Sequence, residues 1–460
     1  MKRSLWLQEV SADLTDGNAL DRDLHVDIAI IGGGFVGLWT ALQILEKRPA
    51  TQIAIVEQDV CGGGASGRNG GFVMSWWPKI RSLSAICGPG EALRLVLASE
   101  QAIDDIDAFC RRHAIDAHFR RAGWLWTATT PAQHGAWLDV QQLAERLGHP
   151  TFVPLPAEEV ARRSGSPQHL QGVIETGNAT VQPARLARGL RRVALENGVR
   201  IFEHSPVRRI ERGQPARLIT PGGTLSADKV VIASNAWAVS VPELARSVLP
   251  VTSTLLATPP IPERLTEIGW TGGEAITDSQ LLVDYYRTTR DHRIVFGKGT
   301  GRFGFNSRID AGFDDDPALN ALTESDFRRV YPTLADVAIE HSWSGPIDRS
   351  YDSLPLFGRL PDAPHLVYGI GWSGNGVGPS RIGAQILSSL ALDLDDAWSR
   401  CPLVGRAVRQ FPPEPFRYLG GKLVRAAVLR KEAAEAERRP AAGLDRLLSR
   451  LAPAGLEDKG

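Results

Sequence analysis

The stretch HVDIAIIGGGFVGLWTALQILEKRPATQIAIVEQ, from His25 to Gln58, decides the fold of this chain. Val26–Ile31 is a short apolar run rich in β-branched residues, which is typical of a buried strand in a parallel sheet. A helix is predicted over Leu38–Lys47, and the run Gln52–Val56 predicts the next strand. This order of strand, helix and strand indicates an α/β fold with a Rossmann-like dinucleotide-binding domain.

Three glycines between the first strand and the helix have the G-x-G-x-x-G spacing of a pyrophosphate-binding turn: Gly32, Gly34 and Gly37. The first permits a tight turn, the second lets the backbone approach the phosphates, and the third lets the helix pack closely on the strand. Glu57 ends the second strand about 20 residues later, where a carboxylate accepts hydrogen bonds from ribose hydroxyls. We count the adjoining Phe35, Val36 and Gln58 among the candidate cofactor contacts.

A second glycine cluster, CGGGASGRNGG, covers residues 61–71 directly after Glu57. Glycine lets backbone amides point at a ligand where a side chain would clash, so this loop suits a phosphate and the polar edge of a flat ring. A flexible connection is the alternative. The candidate contacts in this loop are Gly64, Ala65, Ser66, Arg68, Asn69, Gly70 and Gly71.

The G-x-G-x-x-G spacing occurs twice more. The match at Gly299 leads into a polar stretch without a helical period, so it predicts a loop. The match at Gly369 follows a strand and is expected to open a helix at Gly371–Gly376. Asp393 then lies at the end of that helix rather than at a strand tip, which argues against a second dinucleotide site but leaves a helix N-terminus directed at a ligand.

Composition excludes several classes of function. Lysine plus arginine and aspartate plus glutamate number 52 each among 460 residues, so a sequence-independent nucleic-acid binder is not expected. No apolar run reaches the length of a membrane span, and the N-terminus lacks the apolar core of a signal peptide. Four widely spaced cysteines show neither metal nor redox spacing, so we expect no metal site and a cytoplasmic location.

The order of the remaining elements predicts a cofactor domain built from separate segments, with an inserted antiparallel-sheet domain. We predict an FAD-binding domain over 1–90, 155–245 and 340–395, and a substrate domain over 91–154 and 246–339. The charged stretch 396–460 is predicted to be a helical C-terminal tail.

Several motifs in this order resemble the D-amino-acid-oxidase-like FAD-dependent oxidoreductases, and within them the γ-glutamylputrescine oxidase type of amine oxidase. Besides the first glycine turn and Glu57, they are GASGRNGG, PARLARGLRRVALENGVRIFEHSPVRRI, VVIASNAWA, WSGPIDRSYDSLPLFG and GIGWSGNGV. The resemblance covers roughly residues 1–395 and implies FAD as the bound nucleotide.

The resemblance also implies roles for single residues. Gly32, Gly34 and Gly37 would hold the pyrophosphate, Glu57 the ribose, and the loop from Ser66 to Gly71 the flavin side. Val207 would present its backbone to the adenine, and Ala233 and Trp237 would pack near the cofactor. The pyrimidine end of the ring would be approached by Gly371, Ser373, Gly374, Asn375, Gly376 and Val377.

Two departures from the family pattern concern the substrate and the link to flavin. Some relatives tether flavin through a cysteine, but Ser344–Ser353 contains none, so we expect non-covalent FAD. Relatives that oxidise amino acids carry an arginine in a W-x-G-x-R position, and Ile347 stands there in this chain. This replacement favours an amine over a simple α-amino acid, with Arg349, two residues further on, as a candidate partner of the substrate.

The remaining candidates for the substrate pocket are Trp77, Tyr286 and Lys298. Trp77 follows the flavin loop, and one residue of the pair Tyr285 and Tyr286 is expected to face the flavin because side chains alternate along a strand. Lys298 ends a strand, where it would receive an anionic substrate tail or promote oxygen reduction. For the aromatic residues a place in the core, and for the lysine a place on the surface, remain the alternatives.

The expected reaction is oxidation of the C–N bond of a small amine. Hydride passes to flavin N5, the imine hydrolyses to an aldehyde, and the electrons go on to oxygen or another acceptor. A first alternative is an aminophosphonate-type oxidase, suggested by Ile347 with the cations Arg287, Arg290, Lys298 and Arg302. A second alternative is a flavin-binding protein without turnover.

Overall fold

The computed structural model describes residues 2–14 and 17–455 and shows two eight-stranded sheets. The strands are β1 (Leu24–Ile31), β2 (Ile53–Val56), β3 (Phe72–Val73), β4 (Trp124–Ala128), β5 (Val153–Leu155), β6 (Gln171–Glu175), β7 (Ala179–Thr180), β8 (Arg200–Phe202), β9 (Arg209–Glu211), β10 (Ala216–Ile219), β11 (Thr224–Ile232), β12 (Leu249–Ala257), β13 (Ala275–Thr277), β14 (Asp284–Thr288), β15 (Ile294–Lys298), β16 (His341–Arg349), β17 (Leu356–Leu360) and β18 (Ala363–Ile370).

The helices pack on these sheets and form the end of the described chain. They are α1 (Leu5–Gln8), α2 (Phe35–Lys47), α3 (Ile80–Arg112), α4 (Leu138–Arg146), α5 (Ala157–Ser164), α6 (Pro183–Glu196), α7 (Pro262–Glu267), α8 (Pro317–Val330), α9 (Ser380–Ala391), α10 (Phe416–Ala436) and α11 (Gly443–Ser449). No helix within the described ranges is both long and apolar enough to cross a membrane.

The first sheet has the strand order β17-β18-β11-β1-β2-β8 and confirms the predicted α/β fold. Strand β1 pairs in parallel with β2 and β11, and β18 continues the parallel ladder beside β11. Helices α2 and α9 pack against each other beside this sheet. Since ligands of such sheets bind beyond the carboxyl ends of the strands, the ends of β1, β2 and β11 define where a cofactor is expected.

The second sheet has the order β16-β12-β15-β14-β13-β4-β6-β5 and is antiparallel except between β13 and β4. Its strand pairing differs from the predicted domain bounds in two places. Strand β6 lies in this sheet although it falls in the predicted FAD-binding range 155–245, and β16 does so although it falls in 340–395. Sequence order alone could not assign these strands, because each pairs with strands far away in the chain: β6 with β4, and β16 with β12.

The predicted elements agree with the structure in the hairpin and differ in one helix. The strand-like runs Leu281–Arg287 and Arg293–Gly297 predict a hairpin, and the structure forms β14 and β15 there, which pair in antiparallel fashion. The helix expected to open at Gly371–Gly376 begins at Ser380 instead. The backbone between β18 and α9 forms turns, so residues 371–379 are a loop rather than a helix N-terminus.

Candidate active site

One cavity of about 680 Å³ lies between the two sheets and is lined by residues of both. Most of the predicted cofactor contacts line it, and so does one predicted catalytic residue, Arg349. These cofactor contacts are Gly32, Gly34, Phe35, Val36, Glu57, Gln58, Gly64, Ala65, Ser66, Arg68, Asn69, Gly70, Val207, Ala233, Trp237, Ser373, Gly374, Asn375, Gly376 and Val377.

The glycine turn after β1 is held by Glu57. The amide of Gly33 donates to Glu57 Oε2 at 2.8 Å, and the amide of Asp59 donates to Oε1 at 3.0 Å. Burial raises the pKa of Glu57 to about 6, although both amides favour its charged form. The carboxylate therefore joins the end of β2 to the turn, and its remaining lone pairs are available to a ligand.

Two glycines of the turn are required by close backbone contacts. Gly32 has φ of +111°, and a Cβ on it would lie 2.6 Å from the carbonyl oxygen of Ala233. A Cβ on Gly37 would collide with the carbonyl oxygen of Gly32. Gly37 does not line the cavity but packs α2 onto the turn, as the sequence pattern predicts for the third glycine.

The loop of residues 61–71 is fixed from within and from the second sheet. Asn69 Nδ2 donates to the carbonyl oxygens of Ala65 and Ser66, and Ser66 Oγ accepts from the amide of Phe35 at 2.9 Å. Arg68 Nε donates to Gly63 O at 2.9 Å. Gly71 lies outside the cavity, where its amide donates to Asn69 Oδ1 at 2.7 Å. These hydrogen bonds favour an ordered loop over a merely flexible connection.

Arg68 fastens this loop to β16. Its Nη1 donates to the carbonyl oxygen of Ser344 at 3.0 Å and lies 3.2 Å from Asp314 Oδ1. Its carbonyl oxygen accepts from Trp343 Nε1 at 2.9 Å. Nη2 is buried and has no hydrogen-bond partner among the described residues, which leaves one donor of this guanidinium for a ligand.

Sequence reasoning missed the N-terminal residues that support the same loop. Ser4 Oγ donates to Gly67 O at 2.5 Å, and Trp6 Nε1 donates to Asn69 O at 2.8 Å. The Trp6 ring also packs edge-on against Trp343, with ring centroids 6.1 Å apart. The sequence before β1 carries no motif that announces this role.

Asp348 is a second residue that the sequence did not reveal. It is fully buried on β16, and its two oxygens accept from the amides of Gly371 and Trp372 at 2.6 and 3.0 Å. Gly371 therefore lies outside the cavity, and its amide is not available to a flavin. The following residues, Ser373 to Val377, form the cavity wall instead.

The second sheet lines the cavity with apolar and aromatic residues and with the cation Arg349, and Lys79 adds a cation from the turn before α3. Ile347 and Arg349 both face the cavity because they are two residues apart on β16. Arg349 Nη1 donates to Ser373 O at 3.2 Å and to Ser353 Oγ at 3.3 Å. Burial lowers the pKa of Arg349 to about 10, and no described carboxylate forms an ion pair with it.

Three predicted catalytic residues do not line the cavity. Tyr286 points into the core, stacks on Phe296 and lies 2.5 Å from His169 Nε2, so its neighbour Tyr285 is the tyrosine that lines the cavity. Trp77 Nε1 donates to Glu100 Oε1 at 2.6 Å. The turn after Trp77 brings Lys79 to the cavity in its place.

Lys298 is buried in a network of ion pairs. Its Nζ lies 3.1 Å from Asp284 Oδ1 and 2.7 Å from Asp326 Oδ2, so it is neither a surface lysine nor free for a substrate. The other cations that suggested an aminophosphonate are also engaged elsewhere. Arg287 donates to Val181 O, Arg290 pairs with Asp116, and Arg302 pairs with Asp310.

The cavity suits a large, partly anionic nucleotide such as FAD. A glycine turn, a strand-end carboxylate and the residues Val207 and Ala233 line one part of it, where the pyrophosphate and adenosine of a dinucleotide are expected. The loop with the unpartnered Arg68 donor connects this part to the aromatic part beside Tyr285. The volume lies within the usual range for cofactor sites.

Comparison with known proteins agrees with this site. A family model described as DAO, FAD dependent oxidoreductase, matches residues 27–390. The probable oxidoreductase OrdL of Rhizobium meliloti is 30% identical over 372 residues, which cover 80% of this chain and 83% of the relative. The gamma-glutamylputrescine oxidoreductase of Escherichia coli is 27% identical over 376 residues, which cover 81% of this chain and 85% of the relative.

A solved structure shares the fold. The crystal structure of glycine oxidase from Geobacillus kaustophilus matches with a TM-score of 0.68 and 23% identity, covering 84% of this chain and 100% of that chain. The family match includes both the glycine turn at Gly32 and the loop after β18. The chain therefore belongs to the DAO family of FAD-dependent oxidoreductases.

Proposed function

We propose that this enzyme oxidises the C–N bond of a small amine that carries an anionic group. The observation that carries the proposal is the pair Ile347 and Arg349 on β16, both of which line the cavity. An aliphatic side chain stands where amino-acid-oxidising relatives have an arginine, and a half-buried arginine follows two residues later. The cation therefore lies at position 349 rather than 347. We expect the anionic group of the substrate to bind at a different place from the carboxylate of an α-amino acid.

Arg349 would bind the anionic group. A half-buried guanidinium without a carboxylate partner among the described residues is unfavourable until an anion joins it, because its surroundings remove part of its hydration. Arg349 Nη1 donates to Ser353 Oγ and Ser373 O, and these two hydrogen bonds orient the planar guanidinium. A bidentate carboxylate suits that geometry.

The other lining residues would orient the amine and exclude water. Leu255, Ile347 and Trp372 provide apolar surface, which disfavours an ammonium ion and keeps the amine neutral. Burial raises the pKa of Tyr285, so this phenol stays protonated beside them. Glu57 is the one carboxylate among the described lining residues and belongs to the nucleotide part, so no carboxylate near the amine acts as a base.

Bound FAD supplies the acceptor for the hydride that leaves the α-carbon. The substrate becomes an imine, which water hydrolyses to an aldehyde, and oxygen or another acceptor takes the electrons. The Escherichia coli relative is named for gamma-glutamylputrescine, an amine derivative, which supports this class of substrate. We place the reaction in the cytoplasm, a proposal supported by the four free cysteines of the described chain.

The test is anaerobic reduction of the bound flavin by a panel of amines. We expect γ-aminobutyrate to reduce it faster than butylamine, and both to act faster than glycine, sarcosine and D-alanine. The Arg349→Leu variant should lose the advantage of γ-aminobutyrate over butylamine, and Arg349→Lys should keep part of it. A clear lead of glycine, sarcosine or D-alanine in the wild type would overturn the proposal.

A companion variant tests the role of position 347. Ile347→Arg puts an arginine where amino-acid-oxidising relatives have one, and we expect it to raise the rate with glycine and D-alanine relative to butylamine. The flavin potential of each variant is measured in parallel. A change of potential in Arg349→Leu without a change in substrate preference would assign Arg349 to the cofactor rather than to the substrate.

A further inference from the structure

The C-terminal segment of the described chain reaches the cavity. The family match ends at residue 390, yet Gly455, which lies 65 positions later, lines the cavity together with Lys79 and Ser353. The segment Pro453–Gly455 follows α11 and packs against the loop after β16. A part of the chain outside the family match therefore contributes to the wall of the candidate active site.

Three hydrogen bonds fasten this segment. Ser353 Oγ donates to Ala454 O at 2.6 Å, and the amide of Ala454 donates to Tyr351 O at 3.0 Å. Lys79 Nζ donates to Gly455 O at 2.9 Å. Ala454 is buried, with 4% of its surface exposed. The segment is therefore held against the cavity by both side-chain and backbone contacts.

Helix α10 is fastened to the same side of the cavity. Glu432 is buried, and its Oε1 accepts from the amide of Leu282 at 3.0 Å. Arg425 Nε donates to Thr300 O at 2.9 Å. Val283, next to Leu282, and Gly299, next to Thr300, both line the cavity. Helix α10 thus packs on second-sheet loops beside the amine part of the cavity.

The segment is also directly connected to the cation proposed to bind the substrate. Ser353 Oγ accepts from Arg349 Nη1 and donates to Ala454 O, so one hydroxyl joins Arg349 to the tail. Lys79 adds a second positive charge beside Gly455. A substrate that extends to Pro453–Gly455 therefore meets the cations Arg349 and Lys79. The carbonyl oxygens of Ala454 and Gly455 already accept hydrogen bonds.

We propose that the segment Pro453–Gly455 is a specificity-determining wall that limits the length of the substrate. The inference rests on the proposed function, because it assumes that the anionic end of an amine binds at Arg349. The wall admits short amines with one anionic end and excludes longer ones. It also disfavours diamines, since a second ammonium would face Arg349 and Lys79.

The test uses Gly455→Phe in the full-length, FAD-loaded enzyme, with Gly443→Phe as the matched control. The atoms nearest to a Cβ on Gly455 belong to Leu281, at 3.7 to 3.9 Å, which is ordinary contact, so the variant is expected to fold. Gly443 begins α11 in the same tail and has nothing within 4 Å of its Cβ position. The two substitutions add the same side chain and differ in their distance from the cavity.

Kinetics are measured with β-alanine, γ-aminobutyrate and ε-aminocaproate. We expect kcat/KM of the wild type to fall with length, and Gly455→Phe to lower it about tenfold more for γ-aminobutyrate than for β-alanine. Gly443→Phe should match the wild type, and the FAD content and flavin potential of both variants should be unchanged. If Gly455→Phe lowered kcat/KM equally for all three amines, or left it unchanged for all three, the proposed wall would be overturned.

Binding of unreactive carboxylates separates this inference from the proposed function. Acetate, butyrate and hexanoate are titrated into the oxidised enzyme, and their Kd values are read from the flavin absorbance. The wall predicts that Gly455→Phe weakens hexanoate most and acetate least, whether or not any amine is oxidised. If Gly455→Phe weakens hexanoate most but no amine reduces the flavin, the wall is retained and the proposed function is overturned. If amines reduce the flavin but the order of carboxylate Kd values is the same in Gly455→Phe as in the wild type, the wall is overturned and the proposed function is retained.

Discussion

Two carboxylates, the half-buried Glu57 and the buried Asp348, hold the turns that surround the cavity. Glu57 accepts backbone amides of Gly33 and Asp59, and Asp348 accepts those of Gly371 and Trp372. Hydrogen bonds between an amide and a carboxylate are stronger than neutral ones, and each carboxylate joins a strand end to a turn. The same chemistry therefore shapes both sides of the site.

The Glu57→Gln variant should retain FAD less well than the wild type. A glutamine keeps one acceptor oxygen but turns an NH₂ group towards a backbone amide, so one donor loses its partner at a cost of about 1–3 kcal/mol. The measurement is the dissociation constant for FAD, with the exposed Glu158→Gln as the control. An unchanged constant would mean that Glu57 shapes the turn without contributing to nucleotide binding.

Asp348 should contribute a distinct pH dependence to stability. Burial raises its pKa to about 7, while the amides of Gly371 and Trp372 partly oppose this shift. The folded chain thus holds a proton that the unfolded chain releases near pH 4. This carboxyl favours the folded state at low pH, and its contribution is lost as the pH rises from about 4 to about 7.

Urea unfolding of the wild type and Asp348→Asn across this pH range checks the prediction. The difference in unfolding free energy between them should change with pH in the window from about 4 to about 7 and level off above it. Parallel profiles for the two proteins would show that Asp348 has the same pKa in the folded and unfolded chains.

The part of the cavity wall after β1 and β2 was predictable because its signal is local. Gly32, Gly34 and Glu57 belong to one continuous strand, turn, helix and strand. Tyr285 and Tyr286 could not be distinguished in this way, since alternation along a strand shows that one faces the cavity but not which one. The answer depends on His169 and Phe296, which surround Tyr286 in the core.

At the scale of elements, Lys298 joins β14, β15 and α8 by its ion pairs with Asp284 and Asp326. We expect Lys298→Met to lower the free energy of unfolding by about 3–5 kcal/mol, because two buried carboxylates lose a partner. Lys298→Arg should lower the free energy of unfolding by less, because an arginine keeps the positive charge. The rate at which oxygen reoxidises the reduced flavin should not change in folded Lys298→Met. A stable variant with slow reoxidation would restore the catalytic role predicted from sequence.

The helix α9 shows why its first residue was predicted incorrectly. A glycine spacing after β18 resembles the start of a helix, but the amides of Gly371 and Trp372 bind Asp348 before any helical turn forms. The helix begins at Ser380, once the loop has passed the cavity. Asp348 lies more than twenty positions earlier in the chain, so the local pattern contains no sign of it.

At the scale of the whole molecule, FAD should be held without a covalent bond. No cysteine or histidine is among the described residues that line the cavity, and Ser344–Ser353 contains no cysteine. Acid or heat should therefore release all yellow colour into the supernatant. Adding FAD to the apoprotein should raise its Tm, since a ligand of the folded state alone stabilises it. Colour that stays with the precipitate would contradict the prediction.

The division into two sheets was predictable, whereas their contacts with the tail were not. Alternating strands and helices indicated the first sheet, and the hairpin of β14 and β15 indicated the second. Nothing in the sequence of residues 396–455 pointed to Gly455 as part of the cavity wall. Its position follows from two hydrogen bonds, from Lys79 Nζ to Gly455 O and from Ser353 Oγ to Ala454 O. The donors lie 376 and 101 residues earlier in the chain than their acceptors.

The contact between Trp6 and Trp343 has a consequence for biosynthesis. The N-terminal residues leave the ribosome first, but their aromatic partner is translated only after most of the chain. The central strand β1 likewise waits for β11, which in turn pairs with β18. The nascent polypeptide therefore cannot complete the cavity before β16 and β18 have been made. We therefore expect FAD to bind late in synthesis or after it, when most of the chain is available.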